Sequence, residues 1–204
     1  MKKILKNITI STLIIFTIVL MGCTNKKNPT APTLPPNNPS NIKLFQNFEP
    51  NNGTIQNIFF IENHDPDYIC SPRLETKNVY AGKQSLAITH ENREGNFFIL
   101  PATNGTTDLT DAVIISAQAY YENPDIPHGS FVIFFYDKEN NRSLNIYHDE
   151  YIKNKKWVKV NFYLKNAKEE FKHIGDITKI TKIRIFPENK GIYILDNINI
   201  EYEK

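Results

Sequence analysis

Val113-Ile114-Ile115-Ser116-Ala117-Gln118-Ala119-Tyr120 sets Val113, Ile115, Ala117 and Ala119 in alternation with Ile114, Ser116, Gln118 and Tyr120. A period of two marks a strand with one buried face, because successive side chains of extended backbone point to opposite sides. The alternation returns in Leu86-Ala87-Ile88, over residues 158–164 and in Ile183-Arg184-Ile185. Residues 58–61, 96–100 and 131–136 are instead continuous runs rich in Ile, Val and Phe, as expected of strands covered on both sides. Asn52-Gly53, Ala81-Gly82-Lys83, Asn104-Gly105, His128-Gly129, residues 137–141 and Asn189-Lys190-Gly191 separate these segments with residues that tolerate positive φ or form Asx turns. The expectation is an all-β chain of about ten antiparallel strands in a β-sandwich of the jelly-roll kind. Residues 165–174 carry Ala167, Phe171 and Ile174 at helical spacing and read equally as a short helix or a loop.

The beginning of the chain has a different character. Lys2, Lys3 and Lys6 precede an almost unbroken apolar stretch over residues 8–21, the charge-then-apolar layout of a secretory signal. That stretch falls short of the about 20 residues a spanning helix needs, which disfavours a permanent anchor helix. Leu20-Met21-Gly22-Cys23 resembles the lipobox of bacterial lipoproteins, with Met21 bulkier than usual and ordinary cleavage as the competing reading. The resemblance implies that residues 1–22 are a lipoprotein signal peptide and that Cys23 carries the acyl chains, palmitate among them. Two chains hold a protein stably on a bilayer where one does not. Residues 23–43, rich in Pro, Asn and Thr, have almost nothing to bury and read as a disordered tether. Its about 20 residues reach roughly 25 Å as coil and up to about 60 Å as extended polyproline-type chain. The mature protein is therefore expected outside the cytoplasm, anchored to the cell envelope at the outer membrane or cell surface.

Residues 44–204 are enough for one well-buried domain. The formal charge of +2 and pI near 8.4 owe much to Lys2, Lys3, Lys6, Lys26 and Lys27, all outside that domain, so no nucleic-acid partner is implied. Cys70 is the one cysteine left in the domain, which excludes an internal disulfide, and it reads as a buried, inert thiol. Eight glycines in the whole chain leave little room for a phosphate-cradling loop or a nucleophile elbow, and no zinc-helix spacing occurs. His64, His90, His128, His148 and His173 are scattered singly, and Glu169-Glu170 reads as a solvated pair. Residues 137–141 lack the glycine and the final Glu of a calcium loop and read as a hairpin turn. The chain is expected to be no enzyme.

Five segments in order, Asn47-Phe48-Glu49, Tyr80-Ala81-Gly82-Lys83-Gln84-Ser85-Leu86, Asp108-Leu109-Thr110-Asp111-Ala112, Lys156-Trp157-Val158 and Ile192-Tyr193-Ile194-Leu195-Asp196-Asn197-Ile198, together resemble carbohydrate-binding modules of the galactose-binding-like jelly-roll type. The resemblance implies a structural calcium ion held by Glu49 and Asp196, with carbonyls around the Gly-Lys turn completing an oxygen shell of the kind calcium takes. The alternative is that Glu49 caps a turn and Asp196 accepts hydrogen bonds from backbone amides. The resemblance also implies glycan binding on a concave face, where aromatic rings stack on sugar and polar side chains meet its hydroxyls.

Period two places Gln118, Tyr120, Asn145, Tyr147 and Arg184 opposite the buried positions, with Tyr136 in reserve, and these are the candidate ligand-binding residues. Tyrosine also packs well in any strand, so each has a purely structural reading too. Trp157, at a strand entrance, is expected to cover the end of the core. The functional expectation is a non-catalytic, lipid-anchored envelope protein that binds polysaccharide or another glycan, the alternative being a protein-interaction or envelope-assembly lipoprotein on the same fold.

Overall fold

The alternating segments pair into two antiparallel sheets packed face to face. The structure is a computed structural model and describes residues 41–50, 59–61, 70–91, 97–99 and 105–203. The expected signal peptide, Cys23, the expected tether up to residue 40 and the His64-Asp65-Pro66-Asp67 segment lie outside the described residues, as does the side chain of Cys70.

The first sheet contains β1 (Asn41–Gln46), β3 (Cys70–Glu75), β4 (Ser85–His90), β6 (Ala112–Glu122), β11 (Trp157–Tyr163) and β13 (Gly191–Tyr202). Its order is β11-β6-β13-β4-β3, with β1 also on β13. The second contains β2 (Phe59–Ile61), β5 (Phe97–Ile99), β8 (Phe131–Asp137), β9 (Ile146–Tyr147) and β12 (Ile180–Pro187), in the order β2-β5-β12-β8-β9. A small pair, β7 (His128–Gly129) and β10 (Ile152–Lys153), stands apart. Without the two-residue β7, β9 and β10, ten strands remain among the described residues, as the sequence leads one to expect. β1 begins at Asn41, so residues 41–43 lie in a strand and not in the tether. Ile42 and Leu44 stay largely exposed there, which is why hydropathy does not reveal that strand.

Ile115, Ala117, Ala119 and Tyr121 of β6, Leu86 and Ile88 of β4, Val160 and Phe162 of β11, and Tyr193 and Leu195 of β13 meet Phe131, Ile133 and Phe135 of β8 and Ile183 and Ile185 of β12 in one core. Each such side chain contributes roughly 1.5–3 kcal/mol by leaving water. The two-residue period is broken in the middle of β13. Asp196 pairs with Gln118 but Asn199 pairs with Ser116, so one extra residue bulges out, and Asn197 takes φ +45°. The bulge exchanges faces: Tyr193 and Leu195 point into the core before it, Ile198 and Ile200 after it. At the same place β13 changes its partner on one edge from β4 to β1.

Residues 165–174 resolve to one short helix, α1 (Lys165–Phe171), which buries Ala167 and Phe171. The Phe171 ring meets Phe135 edge-on at 4.7 Å and closes one end of the core. Asp137–Asn141 is the tight turn expected, with the Asp137 amide donating to the Asn141 carbonyl at 3.2 Å and the Asn140 amide to the Asp137 carbonyl at 3.1 Å.

Candidate functional site

In the second sheet, Val132, Phe134 and Tyr136 project away from the core and, with Phe186, form a separate apolar cluster on the sheet's outer face. β12 runs beside β8 in a register that sets Lys182 opposite Tyr136, Arg184 opposite Phe134 and Phe186 opposite Val132. Directly opposed side chains on one face touch. The Arg184 guanidinium lies 5.0 Å from the Phe134 ring centre and 5.8 Å from that of Phe186, and the Lys182 ammonium 5.1 Å from that of Tyr136. Arg142, from the turn after β8, reaches Phe134 at 5.7 Å. Arg184 Nη1 also donates to Tyr136 Oη at 3.4 Å. Cations over ring faces are held there by the ring quadrupole, more strongly as water is excluded. On β9, Ile146 enters the core while Tyr147, paired with Val132, stands 56% exposed on this outer face, and Asn145 Nδ2 donates to its hydroxyl at 3.4 Å.

Four of the six candidate ligand-binding residues, Tyr136, Asn145, Tyr147 and Arg184, therefore gather around one face. Gln118 and Tyr120 do not. They lie on β6, in the first sheet, on the side turned away from the core, so the sandwich separates them from the other four. Alternation identifies the side of a strand, but not the sheet to which the strand belongs. Phe134, Lys182 and Phe186 escaped the sequence reading, although period two from Phe131 and from Ile183 would have found them.

Tyr120 belongs to a different cluster. Trp157 pairs with it across the β11–β6 ladder, and the Trp157 ring lies between Tyr120 at 5.7 Å and Tyr80 at 5.4 Å. The indole Nε1 donates to Asn78 Oδ1 at 3.1 Å. Trp157 thus does not cover the end of the core as expected. Val158 and Val160 occupy the core-side positions of β11, which leaves Trp157 outside, where it ties the loop carrying Asn78 and Tyr80 to the outer face of the first sheet. Burial raises the pKa of Tyr120, and the charge of Glu122 adds to it.

Glu49 and Asp196, from opposite ends of the domain, meet at the Ala81-Gly82-Lys83 turn. Glu49 Oε1 accepts from the amides of Lys83 at 2.7 Å and Gln84 at 3.4 Å. Asp196 Oδ2 accepts from the Ala81 amide at 3.1 Å and from Ser85 Oγ at 2.8 Å, and its Oδ1 from the Asn197 amide at 2.8 Å. Gly82 is required twice over: its φ is +75°, and a Cβ there would stand 2.1 Å from Glu49 Oε1. Asp196 is fully buried, and its pKa is raised, first by desolvation and further by the negative charge of Glu49.

No protein-family model matches this sequence, and no curated relative matches it. Solved structures do. A family 11 carbohydrate-binding module of a cellulosomal cellulase of Clostridium thermocellum superposes with a TM-score of 0.52 at 10% identity, over 80% of this chain and 95% of that one. The Clostridium thermocellum family 11 module in complex with a β-1,3-1,4-mixed-linked tetrasaccharide gives 0.51 at 11% identity, over 78% and 94%. A tandem of family 22 carbohydrate-binding modules from Paenibacillus barcinonensis gives 0.53 at 19% identity, over 81% of this chain and 46% of that one. At such identities the likeness concerns the fold, and it places this sandwich among the jelly rolls that such modules adopt.

Proposed function

We propose that this protein is a non-catalytic envelope module, held to the bilayer through acylated Cys23, that binds glycan on the outer face of its second sheet. The observation that carries the reading is the combination there of the exposed Tyr147 ring with Asn145, Arg184 and Lys182, a flat apolar surface beside polar groups held in place by the ladder. Sugar recognition calls for that combination, since a pyranose offers one apolar face and a rim of hydroxyls. The exposed large apolar side chains among the described residues, Ile42, Leu44, Tyr80, Leu144, Tyr147, Tyr151 and Ile174, are spread over several elements. A protein-docking surface would call for a contiguous patch of several hundred Å².

The test is affinity electrophoresis of the full chain in neutral detergent through gels containing different polysaccharides, with Tyr147→Ala and Tyr120→Ala alongside. Retardation by at least one glycan, abolished by Tyr147→Ala and unaffected by Tyr120→Ala, is the expected outcome. Loss with Tyr120→Ala alone would move the site to the first sheet, and free migration through every gel would end the glycan reading.

A structural calcium ion at Glu49 and Asp196 belongs to the same proposal. In its favour, two carboxylates converge on one turn with no Lys or Arg paired to either among the described residues. Against a complete cage, no group of three or more His, Cys, Asp or Glu side chains surrounds a single point among those residues, so the remaining oxygens would have to be main-chain or hydroxyl. The ion would neutralise the pair and tie β13 to the segment after β1. Calcium at a hundredfold excess over its Kd is expected to raise stability by about 2.7 kcal/mol relative to chelator. Identical melting curves in calcium and chelator would leave Glu49 and Asp196 as turn caps.

A further inference from the structure

We infer that the glycan is bound as an extended chain of several sugars, which runs past Tyr147 over the edge of the sandwich to a second aromatic platform, Tyr151; this rests on the glycan-binding reading above. Tyr151 is 63% exposed, more than any other large apolar side chain among the described residues, and Tyr147 is 56% exposed. The two rings stand at either end of a short passage between the sheets. β9 is the edge strand of the second sheet and β11 that of the first, and the chain that leaves β9 after Tyr147 runs along β11 before it reaches β10.

That passage is held at successive residues. His148 bridges to Phe162 of β11, and its Nε2 accepts from the Phe131 amide of β8 at 3.3 Å. The Asp149 amide donates to the Asn161 carbonyl at 3.1 Å, and the Asp149 carboxylate accepts from the Asn161 amide at 2.9 Å and from its Nδ2 at 2.8 Å. The Tyr151 ring then packs against the His128 ring at 4.5 Å between centres. In the β10–β7 pair, Ile152 and Gly129 are opposed and buried, while Lys153 lies opposite His128 and is exposed. Alternation therefore puts Tyr151, Lys153 and His128 on the outward side.

Two α-carbons four residues apart are separated by at most about 14 Å, so one oligosaccharide can reach both rings. A single pyranose has one apolar face and covers one ring. Each ring has polar side chains beside it for the hydroxyls: Asn145 at Tyr147, and His128 and Lys153 at Tyr151. Both platforms are fixed before the ligand arrives, so a longer chain gains a second stack without the cost of ordering the protein around it.

The full chain in neutral detergent is first run through gels containing mixed-linkage β-glucan, xylan or polygalacturonate. The di-, tetra- and hexasaccharide of each retarding polymer are then titrated calorimetrically into the parent, Tyr151→Ala, Tyr151→Phe and Tyr147→Ala, after their melting curves have been compared. The parent is expected to bind the hexasaccharide about tenfold or more tightly than the disaccharide. Tyr151→Ala should lose that gain and keep the parent's affinity for the disaccharide, and Tyr151→Phe, which keeps the ring, should retain the gain. A gain that survives Tyr151→Ala, or equal affinity for di- and hexasaccharide, would overturn the second platform. In either case loss of binding in Tyr147→Ala would leave the site on the second sheet standing. Free migration of the parent in every gel would overturn both.

Discussion

Asp137→Ala is expected to lower the stability of the fold by about 3 kcal/mol, with the denaturant midpoint falling and the slope unchanged. Asp137 is 1% exposed and stands where β8 turns toward β9. Its Oδ1 accepts from the amides of Glu139 and Asn141, both at 2.9 Å, and its Oδ2 from the amide of Asp176 at 2.8 Å and, more weakly, from Asn141 Nδ2 at 3.4 Å. One side chain thus closes the turn and fixes the approach to the strand that follows, β12. Removing it leaves three backbone donors without their acceptor, and each buried unsatisfied group costs about 1–3 kcal/mol, less where water can reach it. The sum is not additive, because the turn relaxes as a unit. Asp137→Asn keeps one acceptor oxygen and should recover part of the loss. Chemical denaturation of the three proteins decides the matter, and an Asp137→Ala midpoint equal to that of the parent would show that the turn stands on its backbone alone.

A fall in stability on acidification below about pH 6.5 is the second expected result, with a slope of up to about 1.4 kcal/mol per pH unit from each of two histidines. Burial holds the pKa of both His90 and His148 below the usual imidazole value. For His90, hydrogen bonding to the Asn189 backbone opposes that shift, while the positive charge of Lys190 adds to it. For His148, the Glu150 backbone and the charges of Asp149 and Glu188 oppose it. His90 Nδ1 lies 2.9 Å from the Asn189 carbonyl and so carries the proton, while its buried Nε2 has no partner. His148 Nε2 accepts from the Phe131 amide at 3.3 Å, which leaves the proton on the buried Nδ1.

A second proton would bring His90 a buried N–H without an acceptor, and would set His148 against an amide donor. The unfolded chain therefore binds more protons than the folded one below about pH 6.5, so the stabilisation is complete above that value and is lost as pH falls toward the depressed folded pKa values. Asp196 acts with the opposite sign. Its raised pKa means that the folded state takes up the proton first, so above 3.8 its protonation favours folding as pH falls. Denaturation of the parent and of His90→Gln and His148→Gln at several pH values separates the contributions: each substitution should remove about half of the slope, and a parent curve flat from pH 7 to 5 would contradict the neutral, buried state of both rings.

Both histidines serve the turn between β12 and β13, where the two sheets are joined. His90 holds the Asn189 carbonyl, and His148 Nε2 lies 3.3 Å from the Ser130 hydroxyl that Glu188 receives. The Tyr193 hydroxyl donates to the carbonyls of Ser130 or Asn189, each 3.1 Å away, and Tyr121 Oη donates to the Lys190 carbonyl. Burial pushes the phenol of Tyr121 up to about 12. Little of this was visible in a sequence where the five histidines stand singly, because His90 and Asn189 stand 99 positions apart, Tyr121 and Lys190 69, and Ser130 and His148 18.

Other parts were legible. Phe131–Asp137 has every position buried, as its unbroken apolar run implied: Phe131, Ile133 and Phe135 face the core, Val132, Phe134 and Tyr136 the second cluster. Arg184 faces outward between Ile183 and Ile185 because a strand permits nothing else. By itself the sequence determined which side of each strand a residue occupies and where the chain turns, since both follow from backbone geometry over a few neighbouring residues. Only the tertiary structure decided that Gln118 and Tyr120 belong to one sheet and Tyr136, Tyr147 and Arg184 to the other, that a bulge at Asp196 reverses β13, and that three cations share one face. Strand partnership is a long-range property, set by how two whole faces fill a common core, and no local period encodes it.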